Sequence, residues 1–235
     1  DKYGRNKEVL RIFVEAGAPE EILYESKPHI GTDILKKVVV YMREEIIRHG
    51  GEVRFGSKVT RFCVENNKMT GVVVGEEEIK TNHVVLAIGH SARDTFELIH
   101  KKGLEITQKP FSVGTRIEHP QDIVNICQYG DYASYPQLGA ADYNHSYHTK
   151  KGRGVYTFCM CPGGYVVNSS SEENKLVVNG MSYSGRDSST ANSAIIVSVD
   201  TNDFGSSDAL AGMRYQQELE RKAFELANGK IPQQL

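Results

Sequence analysis

"VVLAIGHSAR", Val84 to Arg93, joins an apolar run to a single glycine and then to a helix-forming segment. Val84–Ile88 is apolar throughout, as expected of a buried strand covered on both faces. Ser91–His100 then reads as a helix. Strand, glycine turn and helix, in that order, mark the place in an open α/β sheet where ligands sit, beyond the carboxyl ends of parallel strands. Gly89 permits close approach of backbone to a phosphate or ribose. Ser91 is placed to cap the helix and leave its N–H groups facing an anion. Yet a dinucleotide fingerprint needs three glycines and this turn has one. The turn also fits a plain strand-turn-helix corner without a ligand.

Upstream, Val9, Leu10, Ile12, Phe13 and Val14 follow one helix face that ends at Gly17. "APEEILYE" predicts a short helix with Pro19 in its first turn. A long helix is expected from Thr32 to His49, capped by Thr32 or Asp33 and stopped by Gly50-Gly51. "EVRF" follows as a short strand. The runs 58–65, 69–75 and 77–81 then form a meander, turning at Asn66-Asn67 and near Gly75. After Pro110 the texture changes. "FSVGTRIEHP" predicts a strand and "QDIVNIC" a short helix, before a polar stretch from Gln128 to Arg153. "GVYTFCMCPGGYVV" and "KLVVNGMS" predict a strand pair, "AIIVSV" another strand, and 207–228 a closing helix.

The 235 residues, 39% hydrophobic and 25% charged, allow one large domain or two small ones with a substantial core. A net charge of −2 gives no reason to expect nucleic acid or a membrane surface as a partner. No apolar run approaches the roughly 20 residues that span a bilayer. The four cysteines are too few and too uneven for a disulfide framework, which favours a reducing compartment such as the cytoplasm. The chain does not begin with Met and is expected to be a piece of a longer protein.

Candidate chemistry is scattered. Cys159 and Cys161 form a Cys-x-Cys on an expected strand, where residues two apart share a face. They read either as a redox pair or as two small residues packed beside a tight turn. His29 precedes the long helix and His90 follows Gly89, so either can face a cofactor or substrate. His145 and His148 lie in loop-like sequence, His119 precedes Pro120, and no metal site is expected. Among the charges of the second half, which include Glu118, Arg153 and Asp187, Arg116 and Arg186 are the candidates for gripping a carboxylate substrate. No nucleophile, base and orienting residue fall together.

The segments "PHIGTDIL", "GGEVRFGSKV", "VVLAIGHSARDTFE", "VGTRIEHPQ", "FCMCPGGYVV" and "VNGMSYSGRD" together resemble the FAD-dependent dehydrogenase, or NAD(FAD)-utilising dehydrogenase, family of the two-dinucleotide-binding-domain flavoproteins. The resemblance runs over almost the whole chain. It implies FAD as cofactor, NAD(P)H as a possible electron donor and a small-molecule substrate. It places Val59 at a backbone contact to adenine, and Ala87, Ile88 and Gly89 near the ribose and pyrophosphate. Such proteins also carry an N-terminal GxGxxG turn and a glycine-rich segment near the C-terminus. Neither occurs here, and "GRGVYT" at Gly152–Thr157 lacks the third glycine.

The expected fold class is therefore α/β with an α+β part. A partial FAD/NAD(P)-binding Rossmann-like domain with a β-meander spans 1–110, and a mixed or antiparallel-sheet substrate or cap domain spans 111–235. The expected function is that of the central portion of an FAD-dependent oxidoreductase. N- and C-terminal parts of the same protein complete its flavin site, and the isolated piece holds FAD weakly or not at all. The alternatives are a nicotinamide-dependent oxidoreductase without flavin, or a non-catalytic binding module that kept the fold.

Overall fold

A computed structural model describes residues 4–230. These described residues form five α-helices and several antiparallel sheets, in two compact units. One holds residues 4–51, 110–200 and 219–230; the other holds 52–109 and 201–218. The chain passes between the units after residues 51, 109, 200 and 218.

The first unit opens with α1 (Asn6–Glu15), a short 3-10 turn at Glu20–Leu23 and α2 (Thr32–Arg48). Both helices are amphipathic, and their apolar stripes meet around Ile22 and Val38, which are essentially fully buried with Ala16 and Ala18. Leu10, Phe13, Ile34 and Met42 pack around that cluster.

Strand β4 (Phe111–Pro120) leads into α4 (Gln121–Tyr129). The polar stretch that follows contains two 3-10 turns and the short strand β5 (Ser146–His148). Then come β6 (Gly154–Cys161), β7 (Gly164–Asn168), β8 (Val178–Ser182) and β9 (Thr190–Val199). A four-stranded sheet runs in the order β4-β9-β6-β5, and β7-β8 forms a separate pair. β4 and β9 stay in register from Phe111 opposite Val199 to Pro120 opposite Thr190. This long hairpin-like ladder, formed by two strands far apart in sequence, is the frame of the unit. Val124 of α4, Ala141 and Ala191 make its second core cluster, with Tyr143 and Met160 against them.

In the second unit, β1 (Val59–Glu65), β2 (Lys68–Val74) and β3 (Glu77–Lys80) form the expected meander. Asn66 and Asn67 both have positive φ (50° and 59°), which matches the twist a two-residue hairpin turn needs. Helix α3 (Arg93–Lys101) follows, and Phe204 packs on Tyr215 with ring centroids 5.6 Å apart. The last helix, α5 (Ala211–Leu226), begins in this unit and ends in the other.

Several expectations are corrected. Val84–Ile88 is not a buried strand: it has no ladder partner, and Val85 is 90% exposed. "EVRF" forms no strand either, and Phe55 is 77% exposed. The physical reason is shared. An apolar run becomes a buried strand only beside other strands, and the meander strands pair with each other instead. Every strand pair among the described residues is antiparallel, so the parallel sheet expected of the partial Rossmann-like domain is not formed within them. Thr32 and Asp33 do not cap α2, whose N-cap is Gly31. Ser91 does not cap α3: Ala92 holds that position, with no side-chain cap.

Candidate functional site

The most constrained place in the first unit is the turn Cys161–Gly164 between β6 and β7, buried at all four residues. Gly163 has φ +51°, and a Cβ there would fall inside the carbonyl group of Arg186, so the two backbones touch. The Gly163 N–H donates to Gln121 Oε1 at 2.8 Å. Gln121, itself buried at the start of α4, donates through Nε2 to Asn125 Oδ1 and the Ala141 carbonyl. One glutamine thus ties the turn to both the helix and the polar stretch.

Arg116 of β4 reaches the same turn. Its Nη1 donates to the Cys159 carbonyl (3.2 Å), to Asn192 Oδ1 and, weakly, to Cys161 Sγ (3.9 Å); its Nη2 donates to Asn179 Oδ1 (3.3 Å). None of these acceptors is a carboxylate, so they bring no counter-charge to the guanidinium. Asn192 is 0% exposed, and its Nδ2 has no hydrogen-bond partner. Gly180 leaves room for the Arg116 guanidinium, which a side chain there would displace. On the other side of the turn, Arg186 has φ +49°, and its buried Nε lacks an acceptor. Unsatisfied buried donors are uncommon and ask for an acceptor from elsewhere.

Cys159 and Cys161 do not share an environment, contrary to the expected alternation. The ladder between β6 and β9 slips between Phe158 and Cys161, and Cys159 takes φ +47° in that bulge. A bulge adds a residue and breaks the two-residue period. Cys159 is therefore exposed while Cys161 is buried. Burial is the main cause that pushes the Cys161 thiol above its ordinary range, which keeps it protonated.

His29 lies on the first unit's helical side. Its Nε2 bonds the Tyr183 carbonyl at 3.0 Å, and Thr32 Oγ1 donates to the Ser182 carbonyl. Asp33 accepts from the Ser184 hydroxyl (2.6 Å) and backbone N–H (2.9 Å). The start of α2 is thereby clasped to the end of β8. The Ser184 hydroxyl and amide hold the Asp33 carboxyl below the ordinary aspartate range. A depressed carboxylate contributes stability above its unfolded value, and loses it as pH falls through the folded one. The protection factor of the Ser184 amide is thus expected to fall on acidification below the usual aspartate range. In Asp33→Asn it should be low already at neutral pH. Protection that is independent of pH and of this substitution would contradict the clasp.

The cofactor candidates fall in the second unit. Gly89 has φ +69°, and no atom lies within 4 Å of where a Cβ would stand. Ala87 and Ile88 are exposed beside it, and residues 84–89 enter no sheet ladder. Val59 opens β1, the edge strand of the meander. It lines a groove of about 260 Å³ with Lys58 and Thr60, opposite Asp94, Thr95, Leu98 and Lys101 of α3. The structure thus brings Val59 against the helix that follows Gly89. Ser91 bonds His90 Nδ1 through its hydroxyl (3.4 Å), and both are exposed. The first turn of α3 is already occupied by a carboxylate: Asp94 pairs with Lys58 and accepts the Thr95 N–H. That charge opposes binding of an anion at this helix end.

No group of three or more His, Cys, Asp or Glu among the described residues is arranged to hold a metal ion. Sequence reading had no signal for Gln121, Asn192 or Asn179, since buried amides become visible only through their partners. The cue for Gly163 was the "PGG" that makes the turn.

Residues 110–235 match the family described as FAD-dependent protein, C-terminal domain-like. A curated protein of Clostridium beijerinckii (strain ATCC 51743 / NCIMB 8052), titled "Uncharacterized protein", is 50% identical over 230 residues. The match covers 97% of this chain and 43% of that protein, so the chain spans less than half the length of this relative.

Proposed function

The chain belongs to the FAD-dependent protein, C-terminal domain-like family, and from that premise we propose that it is the central portion of an FAD-dependent oxidoreductase, a dehydrogenase. Parts of the same protein outside these 235 residues complete its flavin site. The observation that carries this reading is the open segment Val84–Gly89. An apolar, extended, unpaired stretch exposed to water is costly unless something covers it. In this reading it and Glu52–Phe55 are strands of a Rossmann-like parallel sheet whose neighbours come from the remainder of the longer protein.

The residues present fit one side of a dinucleotide site. Gly89 offers backbone with open space beside it, and Ala87 and Ile88 offer unpaired backbone groups for the ribose and pyrophosphate edge. Val59 contributes backbone at an open sheet edge for the adenine. FAD, when bound, supplies acceptance and delivery of a hydride, with NAD(P)H as the proposed donor. The chain's own work is to bind and orient. Arg186, with its unsatisfied buried Nε, and Arg116, whose charge meets only neutral acceptors, hold a substrate carboxylate beside the Cys161–Gly164 turn. Cys161, buried and protonated, packs that turn; Cys159 is the accessible thiol, and His29 is committed to the α2 clasp. No helix among the described residues is long and apolar enough to cross a membrane, and the cytoplasm is the proposed compartment.

The test is Gly89→Val in the full-length protein. A β-branched side chain at φ +69° costs about 1–2 kcal/mol locally and fills the approach to the backbone. The FAD dissociation constant is expected to rise about tenfold or more, with circular dichroism unchanged. An unchanged constant would remove Gly89 from the flavin site.

A further inference from the structure

The first unit has a second concave site, separate from the Cys161–Gly164 turn. A cavity of about 480 Å³ lies between α4 and the sheet residues of β4, β5, β6 and β9. That volume falls in the usual range for small-molecule sites. Aliphatic walls from Ile117, Ile123, Val124 and Ile195 face a rim of tyrosine and histidine rings, and no Lys, Arg, Asp or Glu lines it.

Three of the lining rings, His119, Tyr143 and His145, touch one another. His119 Nδ1 faces the Ala191 carbonyl at 2.8 Å, and a carbonyl can only accept, so Nδ1 carries the proton. In the neutral ring His119 Nε2 is then an acceptor for the Tyr143 hydroxyl, 2.8 Å away. Burial pushes the Tyr143 phenol up, so it remains neutral. The His145 ring lies stacked on Tyr143, with centroids 5.2 Å apart and an interplanar angle of 19°. Unlike His119, the His145 ring has no hydrogen-bond partner among the described residues.

We infer that this cavity binds an uncharged, planar aromatic molecule bearing a hydroxyl or carbonyl group. The aliphatic walls take the ring, and the His145 edge hydrogen-bonds the oxygen. A charged ligand would leave water with no opposite charge to meet in the lining, which is costly. The site does not depend on flavin, so it stands or falls separately from the dehydrogenase reading.

The probes are 2-naphthol and 2-naphthoate, of equal ring size and different charge at neutral pH, titrated calorimetrically into the full-length protein. One equivalent of 2-naphthol is expected to bind, with 2-naphthoate at least about tenfold weaker. Ile123 is 54% exposed on α4, so Ile123→Trp fills the cavity without disturbing a packed core. It is expected to weaken 2-naphthol binding by about tenfold or more. His145→Ala, which removes the stacked ring, should weaken it about three- to tenfold. Flavin absorbance in the same samples should not change. No binding of 2-naphthol, equal or tighter binding of 2-naphthoate, or binding indifferent to both substitutions would overturn the inference.

Discussion

Gly163→Val is expected to remove much of the protein's stability. At φ +51° an L side chain is already strained, by about 1–2 kcal/mol. The added Cβ would also collide with the Arg186 carbonyl, which is backbone and cannot rotate away. Relief requires the turn to lift, and lifting it breaks the Gly163–Gln121 bond. Gln121 would then have a buried acceptor without a donor, at a cost of about 1–3 kcal/mol. The two losses together reach about 2–5 kcal/mol before the collision itself is counted, which at the upper end places the substitution among the exceptional ones. A domain's net stability is about 5–15 kcal/mol, so much of it disappears. Urea denaturation with near-ultraviolet circular dichroism provides the measurement. A midpoint within error of wild type would show that the turn yields where the backbone contact says it cannot.

What the sequence made legible, and what it hid, follows from the range of the interactions. The meander was readable because alternation and the Asn66-Asn67 turn are local signals, and both act within a few residues. Helix α2 was readable from its apolar spacing, and β4 from a sustained extended pattern. Val84–Ile88 was misread because an apolar run records what it would bury against, not whether that partner is present in the chain. The Cys159/Cys161 alternation failed because one bulge, set by pairing with a strand some thirty residues away, shifts the phase. Arg116 and Arg186 were picked from position alone. Arg116's partners lie 43 to 76 residues along the chain, and nothing local announces Asn179 or Asn192.

The second large effect concerns the flavin. The full-length protein is expected to hold FAD through dialysis. The 235-residue stretch alone should bind it weaker by several powers of ten. Within this stretch the flavin candidates are backbone groups at Val59 and Ala87–Gly89, and Asp94 already occupies the first turn of α3. No three-glycine turn is present to surround a doubly charged pyrophosphate with N–H donors. Charge-assisted hydrogen bonds contribute about 1.5–3 kcal/mol each. Three or four of them separate a tight site from a weak one by about 10³- to 10⁸-fold.

The exposed Val84–Ile88 segment gives that comparison a structural readout as well. In the longer protein its amides should be protected from exchange as members of a sheet. In the isolated stretch they should exchange quickly, as their exposure and lack of ladder partners require. Slow exchange in the isolated stretch would mean that the segment finds a partner within these residues.

The most direct measurement is the visible absorbance of the dialysed full-length protein before and after addition of NADH or NADPH under anaerobic conditions. The expected result is about one flavin per chain, bleached by a nicotinamide donor. A colourless full-length protein that takes up no added FAD would contradict the flavin site at Val84–Gly89 outright.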